Sequence, residues 1–122
     1  MRRLALLALA LALAGSAVAA AAVARRSSTA VGIGEREWRI AVYRPSVPRG
    51  VVRFNITNRG EDDHNLAVYD ARGRRLARSP TVAPDGHRTL RVRLSRAGTY
   101  RLVCTLGNHA ALGMRARIRV RG

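Results

Sequence analysis

Lysine is absent from this chain of 122 residues and carboxylates are scarce: 23 basic side chains, all arginine, stand against seven acidic ones, for a net charge of +16. Such an excess leaves three classes of counterpart, namely nucleic acid, an anionic membrane surface or an acidic protein. Aromatic residues are also few, with one Phe, one Trp and three Tyr. Proteins that bind nucleic-acid strands need aromatic platforms or an element that reads a groove beside the charge. The single Phe, Phe54, falls on an inward strand position, so nucleic acid is not an expected partner. One cysteine, Cys104, excludes an intrachain disulfide, an unusual lack in a small exported protein. Its thiol is left as a core filler, a reactive group or a metal ligand. The length excludes a second domain: about ninety residues remain beyond the N-terminus, enough for a modest core but not for a large catalytic cleft.

The N-terminus carries its own pattern. Arg2 and Arg3 precede an apolar run, Leu4–Ala14, followed by Gly15-Ser16 and two small-x-small triplets, Ala17-Val18-Ala19 and Ala22-Val23-Ala24. This is the anatomy of a secretory signal peptide. The uncharged stretch Leu4–Ala24 is also just long enough to span a bilayer, so an uncleaved membrane anchor stands as the alternative. Either reading of residues 1–24 predicts an extracytoplasmic domain, periplasmic or secreted, or tethered to the outer face of the membrane. Arg25–Gly34 is small, polar and glycine-containing, and is expected to be a flexible tether. The domain is then expected over residues 35–122.

From Glu35 onward short alternating runs are punctuated by turn residues, with no helical period. Trp38, Ile40 and Val42 predict a first strand, broken by Pro45–Gly50. Val52, Phe54 and Ile56 predict another, ended by Asn58-Arg59-Gly60. His64, Leu66 and Val68 share one face of the next run, and Arg75–Arg78 is a weak strand. After the turn signal Pro84-Asp85-Gly86, Leu90, Val92 and Leu94 point one way; Tyr100, Leu102 and Cys104 follow, then Met114, Ala116, Ile118 and Val120. Strands at this spacing predict an all-β fold, a Greek-key sandwich of seven to eight strands. The arginines alternate with these apolar positions, so most of the charge is expected on a solvated outer face, with the stems covering the sheet. A docking role for that face is the alternative.

Beyond the initiator, Met114 is the sole methionine, and His109 lies midway between it and Cys104. Two imidazoles and a thiolate in a plane, with a thioether on the axis, form a mononuclear blue-copper site. The soft sulfurs suit Cu(I), and the imidazoles suit both oxidation states. One loop supplies Cys104, His109 and Met114, and His64 supplies the second imidazole if its strand lies beside the one ending at Cys104. Strand parity turns all four side chains inward. His87 follows a turn and is expected to be exposed and without a role.

In these stretches the chain resembles the cupredoxins, the family of plastocyanin, pseudoazurin, amicyanin and azurin. The resemblance is carried by Val52–Asn58 (VRFNITN), His64-Asn65-Leu66 (HNL), Gly98–Cys104 (GTYRLVC) and His109–Met114 (HAALGM) followed by a strand. Four residues separate Cys104 from His109, as in azurin, and four separate His109 from Met114, where azurin has three. The resemblance implies one copper ion cycling between Cu(I) and Cu(II), and gives Asn65 the backbone N–H that tunes the thiolate. It also implies that His109 presents a ring edge as electron port, here among Leu106, Ala110, Ala111 and Leu112. The function expected is a monomeric one-electron carrier, not an enzyme, meeting redox partner proteins through a weak transient interface. Exposed arginines are expected to steer acidic partners. Copper delivery without a redox role is the alternative.

Overall fold

The computed structural model describes residues 27–122; the signal-peptide or anchor reading of residues 1–24 lies outside them. The order is β1 (Thr29–Arg36), β2 (Arg39–Val42), β3 (Ser46–Pro48), β4 (Gly50–Asn58), β5 (Ala67–Tyr69), β6 (Arg75–Arg78), β7 (His87–Leu94), β8 (Gly98–Val103) and β9 (Arg115–Arg121). One sheet runs β2-β1-β4-β7 and the other β3-β9-β8-β5-β6. The all-β sandwich is the expected fold class, with nine strands among the described residues instead of seven or eight. Period-2 alternation explains how the two sheets close on each other. Val52, Phe54 and Ile56 of β4, Leu102 of β8, and Ile118 and Val120 of β9 are all at most 1% exposed, while the arginines between them face outward. The sheets therefore meet over an apolar layer that includes Phe54. At the corner before β8, the Tyr100 hydroxyl donates to the Arg96 carbonyl (2.8 Å), pinning the chain as it enters the strand that ends at Cys104.

Two expectations are corrected. Residues 25–34 are not a tether over their described part, because Thr29 onward is β1. This strand is parallel to β4 and antiparallel to β2, and it buries Val31 and Ile33. The domain thus begins about six residues before Glu35, by the count from Thr29. Gly32 and Gly34 gave this segment its loop-like look, yet they serve packing. A Cβ on Gly32 would stand 2.9 Å from the Tyr43 ring, which lies across the strand where side chains are missing. Second, the Pro45–Gly50 break contains β3, an edge strand parallel to β9. Pro48 is compatible with it because an edge position needs no inward N–H.

The run from His64 also differs in detail. Only Ala67–Tyr69 is strand; His64 sits before it in a two-residue bridge, its N–H donating to Val82 O (3.1 Å) and its carbonyl accepting from Val82 N–H (2.7 Å). That bridge, not a continuous strand, fixes the height of the His64 ring at the end of the sandwich.

Candidate metal centre

His64, Cys104 and His109 converge where β8 ends, with their ligating atoms all within 4.8 Å of one another. His64 Nδ1 lies 3.3 Å from His109 Nδ1, and Cys104 Sγ lies 3.6 Å from the same nitrogen. A first-row ion bound at ~2.0 Å to nitrogen and ~2.3 Å to sulfur, with trigonal angles, sets these separations at about 3.5 and 3.7 Å. Two of the three pairs thus have the spacing of donors to one ion, and the third pair lies within 4.8 Å. Met114 is fully buried and its backbone is locked beside them, the Cys104 N–H donating to Met114 O and the Met114 N–H to His109 O, both at 3.1 Å. Thiolate, two imidazoles and an adjoining thioether are a copper donor set more than a zinc one.

The loop from Thr105 to Gly113 holds its own shape. His109 N–H donates to Leu106 O (3.0 Å), Leu112 N–H to Asn108 O (3.1 Å) and Gly113 N–H to Ala110 O (3.1 Å). Gly113 has φ +125°, and a Cβ there would press within 3.0 Å of the Trp38 carbonyl, so the step into Met114 requires glycine. Asn65 ties this loop to the His64 segment. Its Oδ1 accepts from Thr105 N–H (2.7 Å), and its Nδ2 donates to Thr105 Oγ1 (2.8 Å).

Burial pushes the Cys104 thiol above its ordinary range, and the backbone N–H groups of Asn65 and Leu106 oppose the rise. A thiol in this setting ionises when a cation binds beside it. The side-chain latch of Asn65 onto Thr105 is an addition from the structure.

Sequence reasoning missed three residues here. Glu37, in the β1–β2 turn, accepts a hydrogen bond from His64 Nε2 (3.0 Å). The N–H groups of Asp62, foremost, then of Glu61 and of Glu37 itself, together with the His64 ring, hold its carboxyl down at about 2. A carboxylate only accepts, so Nε2 carries the proton and the Nδ1 lone pair is free to face the other donors. Trp38, expected to open the first strand, instead lies in the turn before it, 36% exposed, its ring centroid 4.8 Å from that of His109. Asp62 places a carboxylate oxygen 4.0 Å from His109 Nε2. The one signal for this corner is that acidic residues are rare in the chain, yet Glu37 and Glu61–Asp63 make up four of the seven.

The His109 ring is 14% exposed and is the ligand edge nearest solvent. Around it Leu106 and Ala110 are half-buried, Ala111 is exposed, and Leu112 is exposed and large. His87 is exposed on β7, with its ring hydrogen-bonded to Thr57, and takes no part in the cluster.

A family model for cupredoxin-like domains matches residues 3–114. The chain belongs to that family. Among solved structures, reduced auracyanin from Roseiflexus castenholzii superposes on this cupredoxin-like chain with a TM-score of 0.69 at 20% identity, covering 79% of this chain and 99% of its own. Auracyanin A, a blue copper protein from Chloroflexus aurantiacus, gives 0.67 at 18%, covering 78% of this chain and 100% of its own. A copper-containing nitrite reductase from Thermus scotoductus gives 0.56 at 15%, covering 76% of this chain and 31% of its own. At these identities the likeness is one of fold. No curated protein sequence matches.

Among the described residues, Glu35 is the one whose buried side-chain polar atoms lack a hydrogen-bond partner. It is 0% exposed on the inner face of β1, and neither carboxyl oxygen has a hydrogen-bond partner among the described residues. Burial pushes its carboxyl up from 4.5 to about 8. It stays protonated at neutral pH and so adds no net charge to the site.

Proposed function

We propose that the protein is an extracytoplasmic one-electron carrier in which His64, Cys104, His109 and Met114 hold a single copper ion. The observation that carries this reading is the meeting of two ring nitrogens and a thiol at one end of the sandwich, one of the imidazoles carried by a loop closed by its own hydrogen bonds. When bound, copper supplies the Cu(II)/Cu(I) couple; the chain supplies everything that makes the exchange fast. His64 and His109 are already turned Nδ1 to Nδ1 at 3.3 Å, and Asn65 fixes the loop against the His64 segment. A site held by the fold rearranges little when charge changes, and a small rearrangement favours rapid transfer. His109 brings the site to the surface amid Leu106, Ala110, Ala111 and Leu112, joined by Trp38. A small apolar rim of this kind suits brief encounters with redox partner proteins. The extracytoplasmic location is supported by the signal or anchor pattern of residues 1–24.

The auracyanin likeness favours a carrier over an enzyme. The nitrite reductase, an enzyme, is about three times the length matched here. The test is voltammetry of the copper-loaded protein with a chelator present. A carrier gives a fast, reversible one-electron wave and keeps its metal. Slow, irreversible reduction with loss of copper to the chelator would point to delivery instead.

A further inference from the structure

The β1–β2 turn brings to the site a side chain that is not one of the four donors. Glu37 Oε1 alone accepts three hydrogen bonds: from His64 Nε2–H at 3.0 Å, from Glu61 N–H at 2.9 Å and from Asp62 N–H at 2.8 Å. We infer that Glu37 is the positioning residue of the copper centre: its carboxylate fixes His64 with Nδ1 toward the metal and, as a negative charge one imidazole away, favours Cu(II) over Cu(I). This rests on the copper reading above.

The positioning half follows from donor and acceptor chemistry. With Oε1 accepting, the His64 proton must sit on Nε2, and rotating the ring would leave the carboxylate facing a C–H. The carboxylate itself cannot follow such a rotation. It is tethered to two consecutive backbone N–H groups, and their loop is fastened in turn. Asn58 Nδ2 donates to Asp62 O (2.7 Å) and to Val82 O (2.8 Å), while Asn58 Oδ1 accepts from Gly60 N–H (2.8 Å). Residue 60 has no side chain because the Glu37 carboxylate occupies the place of its Cβ. The His64 ring is wholly buried and Glu37 is 28% exposed, so the contact is shielded on the ring side.

The same corner reaches the second histidine. Fixing Asp62 N–H sets the Asp62 carboxylate 4.0 Å from His109 Nε2, and the residue after Glu37 is Trp38, whose ring stands 4.8 Å from that of His109. Carboxylates that hydrogen-bond a metal-binding imidazole raise its basicity, and losing one costs about 10–100-fold in metal affinity or activity. A higher-charged ion gains more from a nearby negative charge than a lower-charged one. Hence the charge half of the inference has a definite sign: removing it raises the reduction potential.

The experiment has two arms. In the metal-free protein, 15N-detected NMR of the histidine rings reads the tautomer of His64. The proton is expected on Nε2 in the wild type, and a mixture of tautomers in Glu37→Ala. A wild-type His64 protonated on Nδ1 would overturn the positioning half. In the copper-loaded protein, Glu37→Gln keeps an acceptor oxygen and removes the charge. Its Cu(II):Cu(I) ratio at fixed ambient potential is expected to fall about tenfold, equivalent to a rise of about 59 mV for a one-electron couple. An unchanged midpoint with the visible band intact would overturn the charge half. A wild type with no thiolate–copper band would instead overturn the copper reading and the charge half together, and the NMR arm would still decide the positioning half.

Discussion

Glu35 gives the fold a pH dependence that can be worked out from its burial. Its carboxyl is 0% exposed with both oxygens unpartnered, and desolvation carries it from 4.5 to about 8. In the unfolded chain the group ionises as pH rises through 4.5, while in the folded protein it keeps its proton until about 8. Between these values the unfolded state binds fewer protons than the folded one, so stability falls as pH rises. The loss is absent below about pH 4.5 and complete above about 8. With 1.36 kcal/mol for each pH unit separating the two values, the total is at most about 5 kcal/mol. Against a whole-domain stability of about 5–15 kcal/mol, that is a large share. The perturbation is Glu35→Met, which fills similar space without a group that must be desolvated. The assay is urea unfolding of the metal-free protein and the variant at steps from pH 5 to pH 9. The variant is expected to gain on the wild type steadily as pH rises, by several kcal/mol over the range. Because the other titrating groups are shared, the difference isolates Glu35. A difference that stays constant within about 1 kcal/mol would refute the reasoning and mean that the carboxyl is hydrogen-bonded or hydrated in the fold.

Two further outcomes bear on separate parts of the account. Ile33→Ala should cost about 2–5 kcal/mol in urea unfolding, the range for emptying a buried aliphatic site, because β1 belongs to the sandwich; a cost below about 0.5 kcal/mol would return residues 29–34 to the role of a tether. Leu112→Glu should slow electron self-exchange, measured by NMR line broadening in partly oxidised samples, by about tenfold or more while the visible band is unchanged, because like charges would face each other across the encounter. Unchanged self-exchange would remove Leu112 from the port.

The sandwich was legible because period-2 alternation is a direct consequence of the pleat. Val52, Phe54 and Ile56, then Tyr100, Leu102 and Cys104, then Ile118 and Val120, announce their inward face by parity alone, and all are buried. β1 was not legible, since Gly32 and Gly34 carry no side chain to show parity and their purpose, room for Tyr43, lies in another strand. The four donors could be named because their residue types are rare in the chain and three share one loop. The shell around them could not. Glu37 reaches His64 across 27 positions and Asn65 reaches Thr105 across 40, and no local pattern encodes such pairings. Trp38 was misplaced for a related reason: its apolar ring continues the alternation of Ile40 and Val42, but the turn carries it out against His109.

The most direct test of the central claim is to add Cu(II) to the purified protein and record its visible absorption and EPR spectra beside those of Cys104→Ser. The account predicts one copper per chain, an intense thiolate-to-copper band and a narrow hyperfine splitting, with both signatures lost when the Cys104 sulfur is replaced. A colourless protein whose Cys104 thiol still reacts freely in the presence of Cu(II) would contradict it.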